Sequence, residues 1–269
     1  MRLDSKQGIA PPGAQAVVRA LRLLKAFGPQ KPNLALDELS AAVGLTRTTA
    51  HRLLGALESE GLIARDAALK TYRLGPELIA LGSQALLTSD LRTIVRPTLE
   101  RVVAETEEST TLEVLVGDHM LILDGVRGRH LVSAGLEIGT RWPAHATSSG
   151  KCVLSGLPQT HSEQLIRSPL SRHTVHTLTD PAVLRIEFET IRKRGYAVAN
   201  QELEMDYVAV SAAFTGPLGE VQGAISVGGP SSRFSKRRVA SVGRQLSAEA
   251  DVLSNRHHSG WQPTAETNP

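Results

Sequence analysis

The sequence predicts an α+β protein: an N-terminal winged helix-turn-helix domain, a linker helix, and a C-terminal domain built on an antiparallel sheet. Three observations predict it. A helix, a glycine turn and a second helix are written into residues 36–54. Beyond Thr110 the hydrophobic period changes from that of helices to that of strands. The length of 269 residues exceeds one typical core, so two domains are the default. The expected divisions are a disordered arm at 1–13, the winged helix at 14–75, the linker at 76–89, the second domain at 90–255 and a disordered tail at 256–269.

In the first domain, Ala16 to Phe27 carries Val17, Ala20, Leu21, Leu24 and Phe27 along one helical face and stops at Gly28-Pro29. Leu39, Val43, Leu45, Ala50 and Leu53 then fall where two helices meeting across a tight turn must touch, with Gly44 supplying the turn. In the second of these helices Ala50, Leu53, Leu54 and Leu57 repeat at i, i+3, i+4, i+7. Thr48, Arg52 and Ser59 therefore project from the opposite face, with Thr49 and His51 on its flanks. Thr46 is the expected N-cap, which places Arg47, Thr48 and Thr49 in the first turn, where recognition helices meet base edges and phosphates. An ordinary helical hairpin would show the same apolar pattern. The following segments Leu62–Arg65 and Thr71–Leu74, two short strands around a polar loop, distinguish a winged helix, and they offer Arg65, Lys70 and Arg73 to phosphates.

Charge follows the same division. Residues 1–80 hold eleven Lys/Arg against seven Asp/Glu, and the remainder nineteen against twenty. The basic excess thus sits on the predicted reader of double-stranded DNA. A single cysteine, Cys152, excludes an internal disulfide. No stretch approaches the ~18 apolar residues of a membrane span, and no signal-peptide run opens the chain, so the expected compartment is the cytoplasm, with no membrane partner.

Gly75-Pro76-Glu77 opens an apolar helical run to Ser89, short enough to need a neighbour to bury it, such as another subunit's copy. A helix at Leu91–Thr106 follows, capped by Asp90. Strands are expected at 111–116 and 120–123, then at 196–199, 207–214 and 221–227. Asp180-Pro181 starts a helix that Gly195 ends, and the cations Arg192, Lys193 and Arg194 in its last turn read as partners of the helix dipole. A last helix spans about Ser235 to Leu253. Hairpins, a helix, hairpins and a terminal helix imply a sheet with helices packed on it.

The arrangement resembles the IclR family of bacterial transcription regulators over about residues 14–255. The motifs that carry the resemblance are His145-Ala-Thr-Ser-Ser-Gly-Lys151, Arg194-Gly-Tyr-Ala-Val-Ala-Asn-Gln-Glu202, Ala209-Val-Ser-Ala-Ala213 and Gly223-Ala-Ile-Ser-Val-Gly-Gly-Pro230. The resemblance implies a GAF-like effector-binding domain, a small-molecule inducer or corepressor, and a homodimer or dimer of dimers on operator DNA. By resemblance the pocket is lined by Leu131, Trp142, Thr147, Ser148, Ser149, Gly150, Ala199, Ala209 and Ser226, and the expected ligand is a small organic acid or aromatic metabolite. The chain departs from the family where an acid commonly follows Gly-Tyr-Ala-Val, at Ala199. It departs again at Asp206 and Ala213, where glycine and proline are usual, and at Gly228, where a second serine is frequent. The losses of an acid at Ala199 and a hydroxyl at Gly228 point to a different effector, larger or more apolar.

Other chemistries are weaker. Ser148-Ser149-Gly150-Lys151 fails the phosphate-loop pattern, which needs glycine at His145 and a hydroxyl at Cys152. If Gly150 opens a helix, the backbone donors of Thr147 to Gly150 can take a ligand carboxylate; the alternative is a purely structural turn. Cys152, followed by Val153-Leu154, reads as core before nucleophile. His173 and His176 are too few for a metal site unless His119, His145 or Cys152 converge on them. Glu202, Glu204 and Asp206 read as solvated acids ahead of a strand. No dinucleotide pattern, carboxylate pair or nucleophile elbow supports an enzyme, so no catalytic residue, metal or cofactor is expected. Two readers of a dimer must sit about 34 to 36 Å apart to enter successive major grooves. Effector closure that shifts the linker would change that spacing, and a differential binding energy of ~1 to 3 kcal/mol changes affinity 5- to 150-fold.

Overall fold

A computed structural model describes residues 14–28, 31–87, 90–130, 137–167 and 169–255. The expected arm and tail lie outside the described residues. The chain divides into two compact units, residues 1–88 and 89–269.

The first unit contains helices α1 (Gln15–Lys25), α2 (Leu36–Val43), α3 (Arg47–Ser59) and α4 (Glu77–Leu87), and strands β1 (Asn33–Ala35), β2 (Ile63–Asp66) and β3 (Thr71–Leu74). Its core is Leu23, Leu34, Leu39, Leu53, Leu54, Leu57, Ile63 and Tyr72. Each fully buried aliphatic side chain contributes about 1.5 to 3 kcal/mol relative to exposure, so the α3 leucines fix which face of that helix stays outside. Gly44 takes a φ of 69° between α2 and α3, a left-handed turn that glycine adopts without strain. Thr46 caps α3 by accepting from the Thr49 N–H at 3.3 Å. At the start of α2, the Ala35 N–H donates to Glu38 at 2.9 Å. β1 was not foreseen: three residues are too few to show alternation, yet they pair with β3 and complete a sheet of order β1-β3-β2.

The second unit runs α5 (Asp90–Thr106), β4 (Ser109–Val116), β5 (His119–Val126), β6 (Arg141–Pro143), α6 (Ser148–Gly156), α7 (Gln159–Leu165), α8 (Pro181–Arg194), β7 (Ala197–Asn200), β8 (Tyr207–Thr215), β9 (Val221–Pro230) and α9 (Lys236–Ser254). Its antiparallel sheet has the order β6-β5-β4-β9-β8-β7. Side chains alternate across the sheet. One face, with Leu112, Val114, Val210, Phe214 and Ile225, packs on Val95 and Leu99 of α5 and Leu246 of α9. The other carries Met120, Ala197 and Ala224 against Cys152 and Leu154 of α6 and Leu184 and Phe188 of α8. α5 begins at Asp90 itself, one residue earlier than expected. β6 escaped sequence reading because it is three residues long and ends in proline, and α7 because its seven residues are mostly polar.

Arg192 and Arg194 also make specific contacts. Arg192 donates to the Ser155 carbonyl at 2.9 Å. Arg194 donates to the Tyr196 carbonyl at 2.5 Å and to Glu187 at 2.9 Å. All three lie in the last turn of α8, as expected; in addition Arg192 ties α8 to the end of α6, and Arg194 clasps its own helix and the residue that leads into β7.

Candidate functional site

In the first unit, burial of Ala50, Leu53, Leu54 and Leu57 turns the other side of α3 to solvent. Arg47, Thr48, His51 and Arg52 are exposed there, and Thr49 is half-buried beside its cap. Between this face and the wing lies a concavity of about 530 Å³, which brings together Arg47, Thr48, His51, Arg65 and Lys70 over a floor that includes Tyr72. Arg65 lies 5.9 Å from the Tyr72 ring centre, which holds the guanidinium in the wing without a carboxylate. Asp66 accepts from the Ala68 and Leu69 N–H groups at 2.9 Å each, closing the wing turn that ends at Lys70. Arg52, Arg73 and Thr49 do not line the concavity; Arg52 and Arg73 stand exposed outside it. Arg47 donates to both Asp37 oxygens, at 2.8 and 2.9 Å. That pair is 69% exposed on each side, so it holds by no more than ~1 kcal/mol.

The second unit carries a different kind of site, and it is buried. On the face of the sheet covered by α6, Thr111 of β4, Ser226 of β9 and Ser211 of β8 lie directly opposite one another across three strands. α6 brings its first turn onto this row. Ser148 and Ser211 hydroxyls are 2.6 Å apart. Ser149 donates to Glu113 at 2.6 Å, and Thr111 donates to its other oxygen at 2.7 Å. Glu113 is only 6% exposed. Burial pushes its pKa up, and the two hydroxyl donors oppose that only in part. No ion pair within 4.0 Å reaches Glu113 among the described residues, so the acid is held by hydroxyls alone.

Several expected pocket residues find their places here. Thr147 caps α6, accepting from the Gly150 N–H at 3.1 Å. Gly150 therefore does not open the helix. It is the third residue of α6, its N–H is already used, and a Cβ there would collide with the Ala144 backbone. Ala199 and Ala209 face each other on β7 and β8, next to Gly228 on β9. Trp142 is half-buried on β6 opposite Met120 of β5, on the same face of the sheet. Leu131 lies outside the described residues.

Gly228, read from sequence as a loss that enlarges the pocket, has another physical reason: the Tyr207 phenol occupies the space a side chain would need. Glu202 also departs from expectation. It is 7% exposed, not solvated. Its carboxylate accepts from Lys151 at 2.6 Å, and Lys151, 1% exposed, also donates to the Val198 carbonyl at 2.8 Å. The Glu202 carbonyl accepts from Thr177 at 2.6 Å. Sequence reading took Lys151 only as part of a motif. That Lys151 and Glu202 end two of the motifs that carry the resemblance was the available signal.

The remaining candidates sit apart. Cys152 is buried, and desolvation pushes its pKa to about 11, which keeps it a thiol at neutral pH. His145 shares a hydrogen bond with the Ser171 carbonyl at 2.8 Å, and its ring lies 6.0 Å from that of His173. His176 is exposed. Among the described residues no group of three His, Cys, Asp or Glu is placed to hold a metal ion. Among them, too, no helix is long and apolar enough to cross a membrane.

A winged helix with an exposed cationic face, on a chain whose second unit buries a polar layer between sheet and helix, defines a two-domain class of DNA-binding regulator. Residues 16–67 match the IclR helix-turn-helix domain, and residues 83–255 match the C-terminal domain of bacterial transcriptional regulators of the IclR type. The chain belongs to the IclR family, and it is a DNA-binding transcriptional regulator of that family. It is 32% identical over 235 residues to the transcriptional repressor IclR of Escherichia coli, covering 86% of each chain. An IclR-type regulator of Silicibacter sp. TM1040 superposes with a TM-score of 0.80 at 25% identity, over 92% of this chain and 99% of that one. An IclR homologue of Microbacterium hydrocarbonoxydans, solved in complex with 4-hydroxybenzoate, gives 0.72 at 26% identity, over 89% and 98%.

Proposed function

We propose that this regulator responds to a small organic metabolite bound between the first turn of α6 and the Thr111–Ser226–Ser211 row, and that binding changes its affinity for operator DNA. The observation that carries the reading is the buried polar layer itself. Burying an acid without a cation costs stability, and a packed apolar interface would avoid that cost. The same place coincides with the turn that the family resemblance assigns to the effector. The Microbacterium relative was solved with an aromatic acid, a member of the ligand class expected here. The ligand is sensed and released unchanged, with no turnover.

The DNA-reading residues are proposed as Arg47, Thr48, Thr49, His51 and Arg52 of α3, with Arg65, Lys70 and Arg73 of the wing. Operator reading requires two copies, and α4 supplies a surface for pairing: Ile79 is 73% and Leu81 48% exposed. Leu81→Asp should reduce assembly in light scattering and weaken operator binding while the second domain stays folded. A wild-type monomer that binds its operator tightly would contradict pairing. For the effector, metabolites released from the purified protein are identified by mass spectrometry and returned to it. Stabilisation with an unchanged ligand supports sensing. Turnover, or no stabilisation by any metabolite, removes it.

A further inference from the structure

Next to the polar row, Ser109 of β4, Gly228 of β9, Ala209 of β8 and Ala199 of β7 lie in register on the same face. Side chains this small form the low floor of a covered trough across four strands, with Ser109, Ala199 and Gly228 buried. Tyr207, two residues before Ala209 and on the same face, fills part of it. Its hydroxyl stands where a Cβ on Gly228 would be. No described residue makes a hydrogen bond to that hydroxyl, so space, not a polar partner, sets the position of the ring. Burial, together with the negative charges of Glu113 and Glu108, keeps the phenol protonated. The turn that delivers Tyr207 is bounded by Gln201 at φ 59° and Asp206 at φ 60°, both left-handed without being glycine. Such backbone is held by its surroundings and relaxes when they change.

We propose that Tyr207 is a built-in occupant of the effector trough, and that the effector is a small hydroxylated aromatic which takes the place of its ring and donates its hydroxyl to Glu113. This rests on the reading of the α6 turn as the effector site. The chemistry follows from the wall. Ser149 and Thr111 already donate to Glu113, the Gly150 N–H is committed to Thr147, and among the described residues no cation pairs with Glu113 within 4.0 Å. A carboxylate brought to this end meets an acid with no spare donor, whereas a phenol meets an acceptor. The trough already holds one aromatic ring, so its width suits another.

The test uses p-cresol and toluene, which differ by one hydroxyl, with full-length protein. The chain has three tyrosines, so 3-fluorotyrosine labelling gives three fluorine resonances, and Tyr207→Phe identifies that of Tyr207. p-Cresol should shift the Tyr207 resonance in wild type. Tyr207→Ala should bind p-cresol at least tenfold more tightly by calorimetry, because the competing ring is gone. Tyr207→Phe should bind like wild type, since its ring still fills the trough. Glu113→Leu should abolish the preference for p-cresol over toluene. An unmoved Tyr207 resonance, or equal affinity in wild type and Tyr207→Ala, overturns the proposal; the resonance decides if the alanine variant does not fold. If metabolic carboxylates stabilise the protein and change operator binding while p-cresol binds neither form, this proposal falls and the effector reading stands. If neither class binds, both fall.

Discussion

The two candidate regions hold their charges in opposite ways. On α3 and the wing, Arg47, Arg52, Arg65, Lys70 and Arg73 are exposed, and the one ion pair among them, Arg47 with Asp37, is solvated on both sides. Around α6, Lys151, Glu202 and Glu113 are all more than nine-tenths buried and fixed by short hydrogen bonds. A reader must exchange its partners for phosphates at low cost, so its cations are held weakly. A sensor must hold one geometry until a ligand of matching chemistry arrives, so its polar groups are held tightly and at a cost in desolvation. Binding strength and positional precision are thus divided between the two units.

The largest effect should come from breaking the buried ion pair of Lys151 and Glu202. Lys151→Met leaves Glu202 buried without its cation and should cost about 3 to 5 kcal/mol, read from urea unfolding of the second unit. Lys151→Met with Glu202→Leu should recover most of that loss, because the uncompensated charge is gone.

The exposed region should respond differently. Arg52→Ala should weaken specific operator binding by about 1 to 3 kcal/mol if the guanidinium reads a base edge. Arg73→Ala should weaken all sequences alike and flatten the salt dependence by about one unit. Unchanged affinity and slope in both variants would remove α3 and the wing as the docking face. Neither variant should change the unfolding of the second unit.

Smaller effects sharpen the sensor side. Ser226→Ala should lose about 0.5 to 1.5 kcal/mol of effector affinity for one neutral hydrogen bond, and Trp142→Ala more, since it removes an aromatic wall. Ligand-free DNA binding should be unaltered in both. Glu113 sets the smallest and most specific effect. Its folded-state pKa is raised, so the folded state holds the proton more tightly than the unfolded chain does. Its stabilising contribution is full below the ordinary carboxylate pKa of about 4.3 and is lost as pH rises through the raised value. Wild type should therefore lose melting temperature relative to Glu113→Gln as pH rises from acid towards neutral. A constant difference across that range would mean that Glu113 ionises normally.

The exposed region was legible because its information is local. Periodicity in α3, the Thr46 cap and the Gly44 turn each depend on residues a few positions apart. The buried region was not, for a physical reason that Glu113 makes plain. Leu112-Glu113-Val114 alternates as a strand with one wet face does, and on that pattern Glu113 should meet solvent. α6 covers that face, so the same alternation marks a polar interior. Glu202 was misread for the same reason, as its burial is imposed by α6 and by the Thr177 hydroxyl, both distant in sequence. The meaning of Gly228 depends on Tyr207, which the β8–β9 register brings beside it. Motif resemblance pointed to the α6 turn and Ser226, which the fold brings onto one face, but the donor role it implied for the turn meets a Gly150 N–H already given to Thr147 and a Ser149 hydroxyl already given to Glu113.

On the proposed function, ligand and operator binding are linked through one chain. The most direct measurement is the affinity of the wild-type protein for an operator duplex, selected from genomic fragments, by fluorescence anisotropy across a titration of the metabolite identified from the purified protein. The account predicts a saturable change of roughly 5- to 150-fold, with Ser226→Ala reaching the same limit at higher ligand concentration. An operator affinity that stays constant while calorimetry shows the ligand bound would contradict it.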